Sequence, residues 1–391
     1  MIADMTRREA ETMLQRLRNA TRGLAALAAL AVRAIPVLWV VSGLAACGNP
    51  PATPTPPPLA RELLVYNWED YLPQSVIDAF TAEYGVKVQV ETYDSMEEAV
   101  AGIQAGKAFD VAVLEDDELP ELWRGGRLAE IDFRNVPNFK NVSANFRDLK
   151  FDPGNRHSVP YLWGTTGLLV RSDLVKKPVT RWADLWDPAY AGKVLVRAQP
   201  TELISVALKS LGYKLNTEQP AELEAALQRL RQLQPYPAFA DAEFSQAVGK
   251  LLSGEAVIMV GWSGEAVSAR RQNEAITYVV PQEGTMLWGD ALVISAGSPN
   301  HYTAELFLNF ILRPERGAQI ISAYFYSSAN EAAYLLVDAT LAKDPLVNPP
   351  KDALINAEWY LPLSPAGQKL YADTWQRSMD HFQAHMRPEV P

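Results

Sequence analysis

A chain of 391 residues with one cysteine, four histidines and a formal net charge of −10 has room for two ordinary domains and cannot close an intramolecular disulfide. Hydrophobic residues make up 48% and charged residues 21%, a globular balance that excludes a disordered or fibrous chain. The acidic surplus repels nucleic acid and favours cationic ligands, so no nucleic-acid partner is expected.

The first 47 residues set Arg7, Arg8, Arg16, Arg18, Arg22 and Arg33 against Asp4, Glu9 and Glu11, a surplus of +3 that leaves the remainder near −13. The apolar run 34–46 suits the hydrophobic core of a signal peptide and is short for a membrane span, which needs ~20 residues. It ends in Leu44-Ala45-Ala46-Cys47, which resembles the bacterial lipobox, whose cysteine thiol receives a diacylglyceryl group. Residues 1–47 are therefore expected to be a signal peptide and Cys47 the lipid site, which would place the protein outside the cytoplasm. The long basic lead leaves Met5 or Met13 open as starts, and an uncleaved signal anchor from Gly23 is the alternative. Residues 48–60, dense in proline, read as a semi-rigid tether rising ~3.1 Å per residue.

From Glu62 onward, short apolar runs alternate with amphipathic stretches, the pattern of an α/β protein. Residues 63–66 predict a strand. Pro73 opens a helix through Tyr84, closed at Gly85, with Val76, Ile77 and Phe80 on one face. Residues 86–90 predict a second strand, and Ser95 with Glu98 a capping box for a helix ending near Gly106. A third strand is expected at 111–114 and a helix at 118–124, stopped by Gly125-Gly126. Asp152-Pro153-Gly154 marks a turn between blocks. Beyond it, strands are expected at 194–196, 256–260, 276–280 and 291–294. Helices are expected at 201–211, 221–233, 243–252, 304–312 and 314–323. The pentapeptide Ser-Gly-Glu-Ala-Val occurs at Ser253 and at Ser263 with no longer repeat around it.

Nucleotide-binding glycine loops, the G-x-S-x-G elbow and C-x-x-C are all missing from the sequence. His381 and His385 stand four apart without an adjacent glutamate, which favours a solvated helix over a metal site, and His157 and His301 sit among turn residues. No catalytic residue, metal or cofactor is expected. Two places pair an indole with a carboxylate two residues on: Trp68 with Asp70, and Trp288 with Asp290. In extended backbone, residues i and i+2 face the same way, so each pair would present a ring and a charge together. Ammonium groups want carboxylates and π-faces, and a methylene stem wants flat apolar walls. Either pair could equally be core or surface filler in a chain with ten Trp and 15 Tyr.

Six ordered segments carry a resemblance that decides between these readings: 65–71 (VYNWEDY), 92–95 (TYDS), 159–164 (VPYLWG), 182–186 (WADLW), 283–290 (EGTMLWGD) and 312–315 (LRPE). Over residues 63–359 the chain resembles the spermidine/putrescine-binding proteins of bacterial ABC importers. The resemblance implies a two-lobed type II periplasmic-binding-protein fold with a ligand cleft between the lobes. Lobe 1 would comprise residues 61–165 and 291–332, and lobe 2 residues 166–290 and 333–391. It implies that Trp68, Asp70 and Tyr71 line the cleft from lobe 1. Trp262 and Trp288 would sandwich a methylene chain, with Asp290 and Glu202 on ammonium groups and Tyr326 beside them. Trp182 and Trp186 match the family as well, but read as packing residues. Three departures bear on the ligand. Gln199 stands where the family has an aspartate, Glu115 and Asp117 where it has a serine and an aromatic, and Tyr360 where it has a glutamine. Negative charge is thereby relocated if Glu115 or Asp117 faces the cleft. The implied role is a monomeric, lipid-anchored protein that captures a polyamine and delivers it to an ABC permease and its ATPase. Another organic cation, an amino-acid-like solute, or a ligand-sensing role are the alternatives.

Overall fold

The computed structural model describes residues 56–197, 199–233 and 244–385. The expected signal peptide, Cys47 and the tether up to residue 55 lie outside the described residues. The strands are β1 (Glu62–Trp68), β2 (Lys87–Tyr93), β3 (Val111–Glu115), β4 (Ser158–Arg171), β5 (Val194–Leu195), β6 (Ile258–Trp262), β7 (Ile276–Val279), β8 (Met286–Ile294), β9 (Ser327–Ser328) and β10 (Glu358–Trp359). They join one sheet along the path β2-β1-β3-β8-β4-β6-β5, with β10 on β8 and both β7 and β9 on β4.

At one end, β2, β1 and β3 run parallel, joined by helices. The helix Gln74–Tyr84 begins behind Pro73 and ends at Gly85, whose φ of 69° is the left-handed conformation that glycine adopts without strain. Val76, Ile77 and Phe80 are buried, as its periodicity requires. The helix Met96–Gln104 is capped by Ser95, whose Oγ accepts the Glu98 N–H at 3.1 Å. The return bond is offset by one residue, since the Glu98 carboxylate accepts from the Asp94 N–H rather than from Ser95.

Strands β8 and β4 carry the sheet from one half to the other. The C-terminal part of β8 is antiparallel to β3, its N-terminal part receives β10, and β4 lies along its other side. Past Thr166, β4 pairs with β6 and β7 instead. Buried side chains separate accordingly. One core gathers Leu63, Phe80, Val113, Leu292, Phe307 and Phe310, while another gathers Leu168, Trp182, Val194, Leu208, Leu223 and Ile258. Trp182 is fully buried and donates from Nε1 to the Gly284 carbonyl at 2.9 Å, a packing residue of the second half.

The 14-residue β4 has no counterpart among the expected elements. Its residues are buried on both faces, so hydrophobic alternation is absent, and Pro160, Gly164 and Gly167 read as breakers. The glycines are required by close approach: a Cβ on Gly164 would stand 2.4 Å from the Trp288 ring, and one on Gly167 2.6 Å from Tyr278. The helix Ser263–Gln272 is likewise additional to the sequence reading, and the helix expected around His381 and His385 begins as early as Pro365. The strand expected at 256–260 lies two residues later, so that it ends on Trp262.

Candidate ligand cleft

Strands β1, β3, β5 and β6 all deliver their C-terminal ends to one region, where ligands of open α/β sheets bind. β1 ends at Trp68, and the chain then turns through Asp70, whose φ is 51°. The expectation that Trp68 and Asp70 point the same way needs extended backbone, and that backbone stops at Trp68. Asp70 is therefore exposed, near enough to Tyr324 to help raise its phenol, after burial, to about 12. The turn sends Tyr71 inward instead. Its hydroxyl donates to Asp290 Oδ2 at 2.5 Å, and its carbonyl accepts from the Tyr161 hydroxyl at 2.8 Å.

Asp290, on β8, stands directly opposite Glu115, the last residue of β3. Like charges facing each other across a ladder are destabilising, and here both carboxyls are largely withdrawn from water. Asp290 is 4% exposed and its Oδ1 has no hydrogen-bond partner. Burial lifts it to about 7 against the opposing hydrogen bonds from Tyr71 and Trp68, with Asp117 raising it further. Burial also raises Glu115 well above the carboxylate range, reinforced by Asp117 and Asp290. Asp117 is raised to about 6 and Glu118 to about 7, each chiefly by burial. Asp116 projects to the opposite side of β8, where its Oδ2 lies over Gly289 and its Oδ1 is unpartnered. Among the described residues, the charges that act most strongly on these groups are other carboxylates.

Glu202, in the first turn of the helix Pro200–Ser210, faces the same region from the second half. Its Oε2 accepts from Trp262 Nε1 at 2.9 Å and from Thr166 Oγ1 at 3.2 Å. Burial raises Glu202, but Arg197 opposes the shift. Arg197 is itself buried, paired with Glu265, and lies 4.6 Å from the centre of the Trp262 ring. Glu265 also accepts the Trp262 N–H at 2.9 Å, so one carboxylate holds both the arginine and the start of the helix Ser263–Gln272. Gln199 is the half-buried residue preceding Pro200, and its side chain makes no capping bond to that helix.

Aromatic rings connect the two ends. Tyr71 and Tyr326 have centroids 5.7 Å apart, Tyr326 and Trp288 5.2 Å, and Trp288 and Trp262 6.1 Å. Trp262 and Trp288 meet edge to face at 64° rather than as parallel slabs. Close backbone seats both rings, Trp288 over Gly164 and Tyr326 over Gly264. Tyr360 is half-buried beside this region, its phenol raised by desolvation with Glu202, Glu115 and Asp117 acting on it. The segment that carries it is docked by Lys209 on Glu358 at 2.7 Å and by Asn216 on the Trp359 carbonyl at 2.8 Å.

Of the expected residues, Trp68, Tyr71, Glu115, Asp117, Glu202, Trp262, Trp288, Asp290 and Tyr326 converge. Asp70 stands at the rim, and Gln199 borders the helix that holds Glu202. Sequence reasoning did not single out Arg197, Glu265, Thr166, Asp116 or Glu118. The run Glu115-Asp116-Asp117-Glu118 was a visible signal for the last two; nothing local marks Arg197.

A family model for bacterial extracellular solute-binding proteins matches residues 75–349. The chain is 34% identical over 318 residues to the spermidine/putrescine-binding periplasmic protein of Escherichia coli K12, covering 81% of this chain and 90% of that protein. It is 32% identical over 310 residues to a putrescine/agmatine-binding protein of Pseudomonas aeruginosa, covering 74% and 84%. A solved structure described as a putative spermidine/putrescine ABC transporter from Listeria monocytogenes superposes with a TM-score of 0.77 at 31% identity, covering 82% of this chain and 99% of that one. The two-lobed α/β fold expected from the sequence is borne out by these likenesses.

Proposed function

The chain belongs to the bacterial extracellular solute-binding proteins, and we propose that it captures a polyamine outside the cytoplasm and hands it to an ABC-type importer. The observation that carries this reading is the facing pair of buried Asp290 and half-buried Glu115, neither ion-paired among the described residues, joined through Tyr71, Tyr326, Trp288 and Trp262 to a third carboxylate, Glu202. A flexible aliphatic polycation supplies the missing charge at both ends and lays methylenes on the rings between. A charge-assisted hydrogen bond contributes ~1.5–3 kcal/mol, a cation over a ring ~0.5–2 and a buried methylene ~0.8. A few of each exceed the ~8 kcal/mol of micromolar affinity and offset the cost of association.

In this reading, residues 61–165 with 291–332 form one lobe and 166–290 with 333–391 the other. The lobes close over ligand by bending β4 and β8. Trp68, Tyr71, Glu115, Asp117, Glu202, Trp262, Trp288, Asp290 and Tyr326 contact the ligand, and Asp70 and Gln199 border it. The protein works as a monomer, performs no covalent chemistry, and is tethered through a lipid on Cys47. Mass spectrometry of Cys47→Ala against the native chain tests the anchor. Calorimetric titration of the folded protein with spermidine, putrescine, cadaverine and agmatine tests the ligand, and no heat from any of them removes the polyamine reading. Gln199, which lacks the charge of the aspartate it replaces, and Tyr360, which replaces a glutamine amide by a phenol, favour another organic cation as the second reading. A heat from a non-polyamine cation alone would select it.

A further inference from the structure

The two ends of the cleft differ sharply in charge. Asp290 stands opposite Glu115 across the β3–β8 ladder, Asp117 and Glu118 follow two and three residues along the chain, and these carboxylates act on one another. Asp290 keeps a buried oxygen with no partner. At the far end Glu202 already accepts hydrogen bonds from Trp262 and Thr166, and Arg197 lies behind Trp262 with its charge opposing that of Glu202. Glu202, Glu265 and Arg197 together carry a single net negative charge, whereas Asp290, Glu115 and Asp117 carry up to three. Arg197 is 4% exposed and covered by the indole, so it shapes this end through Glu202 and Trp262 rather than by touching ligand.

We propose, on top of the polyamine reading, that the preferred ligand is an end-loaded oligoamine. Two ammonium groups separated by a short methylene spacer would sit at Asp290, Glu115 and Asp117, and one ammonium would sit at Glu202, with Arg197 as the positioning residue that sets the asymmetry. The stem between them lies along Trp288, Tyr326 and Trp262. A triamine with one three-carbon and one four-carbon spacer then binds in one direction only, its three-carbon end at β3. A symmetric diamine leaves the acidic end under-neutralised.

Two isomeric diamines isolate this claim because they carry the same charge. N-butyl-1,3-diaminopropane keeps the crowded pair of ammonium groups and lacks the far one. N-propyl-1,4-diaminobutane keeps the far group and lacks the outer member of the pair. Calorimetry on the native chain should show the first binding at least ~10-fold tighter, the scale of one charge-assisted hydrogen bond. Glu115→Gln should narrow that ratio several-fold. Arg197→Met, by leaving Glu202 uncompensated, should narrow it too, while Arg197→Lys should preserve it. Equal affinities for the isomers, the reverse preference, or an unchanged ratio in folded Glu115→Gln overturns the proposal, whether or not Arg197→Met folds. Tight spermidine binding with indifferent isomers sinks the asymmetry alone. No binding of any amine sinks the polyamine reading with it.

Discussion

Asp290→Asn separates stability from binding, because the two should move in opposite directions. In the ligand-free fold the Asp290 carboxyl is raised from 3.8 to about 7 by burial. The folded chain therefore holds this proton more tightly than the unfolded chain, and between those two values stability falls as pH rises. At pH 8 the ionised group costs the ligand-free fold about 4 kcal/mol relative to an unperturbed carboxyl. Asparagine has nearly the same shape, carries no charge to desolvate, and keeps an acceptor for the Tyr71 hydroxyl. It also relieves the like-charge contact with Glu115. The ligand-free variant should melt higher than the native chain at pH 8, by roughly 3 °C if about half of that cost is recovered, and by little at pH 5. Its polyamine affinity should meanwhile drop by about 2 kcal/mol, ~30-fold, with the loss of a charge-assisted contact. Thermal unfolding at the two pH values and calorimetric titration at pH 8 read both effects. A variant that melts lower at pH 8, or that binds the amine as tightly as before, refutes the reasoning.

Binding should release protons. Asp290 and Glu118, raised to about 7, and Asp117, raised to about 6, are partly protonated near neutrality, and an incoming cation favours their ionised forms. Affinity should consequently rise from pH 5 to pH 8, and calorimetry at pH 6.5 in buffers of different ionisation heat should give a nonzero proton count; heats independent of buffer would contradict it. Gly164→Ala should weaken ligand binding by displacing Trp288, whose ring lies 2.4 Å from the added carbon. Titration will show this alongside a near-native far-ultraviolet spectrum, and unaltered affinity would show that the seat of Trp288 is dispensable. Trp182→Ala should cost about 3–5 kcal/mol of stability through a fully buried cavity and a lost hydrogen bond, with a smaller effect on affinity, as denaturant melts and titration will compare.

Much of the fold was legible along the chain wherever local chemistry and burial agree. Pro73 and Gly85 bracket a helix because one has its backbone angle preset and the other takes a left-handed turn without strain. Val111–Glu115 reads as a strand from its short apolar run. The site was legible where a motif coincided with extended backbone, as at Trp288 and Asp290 on β8, and misread where it did not, as at Asp70 in its turn.

What tertiary contact decided shows most plainly in the repeated pentapeptide. At Ser253 it closes a helix and passes through Gly254, with φ at 84°, into β6; at Ser263 the same five residues are helical throughout, with Gly264 under the Tyr326 ring. Local propensity is identical in the two places, so neighbours far along the chain make the choice. The amino-acid order by itself determined the composition of the cleft, its rings and carboxylates, and the family pattern that groups them. That Glu115 faces Asp290, that Tyr71 rather than Asp70 reaches it, and that Arg197 lies behind Trp262 were decided only when distant strands paired. Charges far apart in the sequence interact through space, and their separation along the chain carries no trace of that distance.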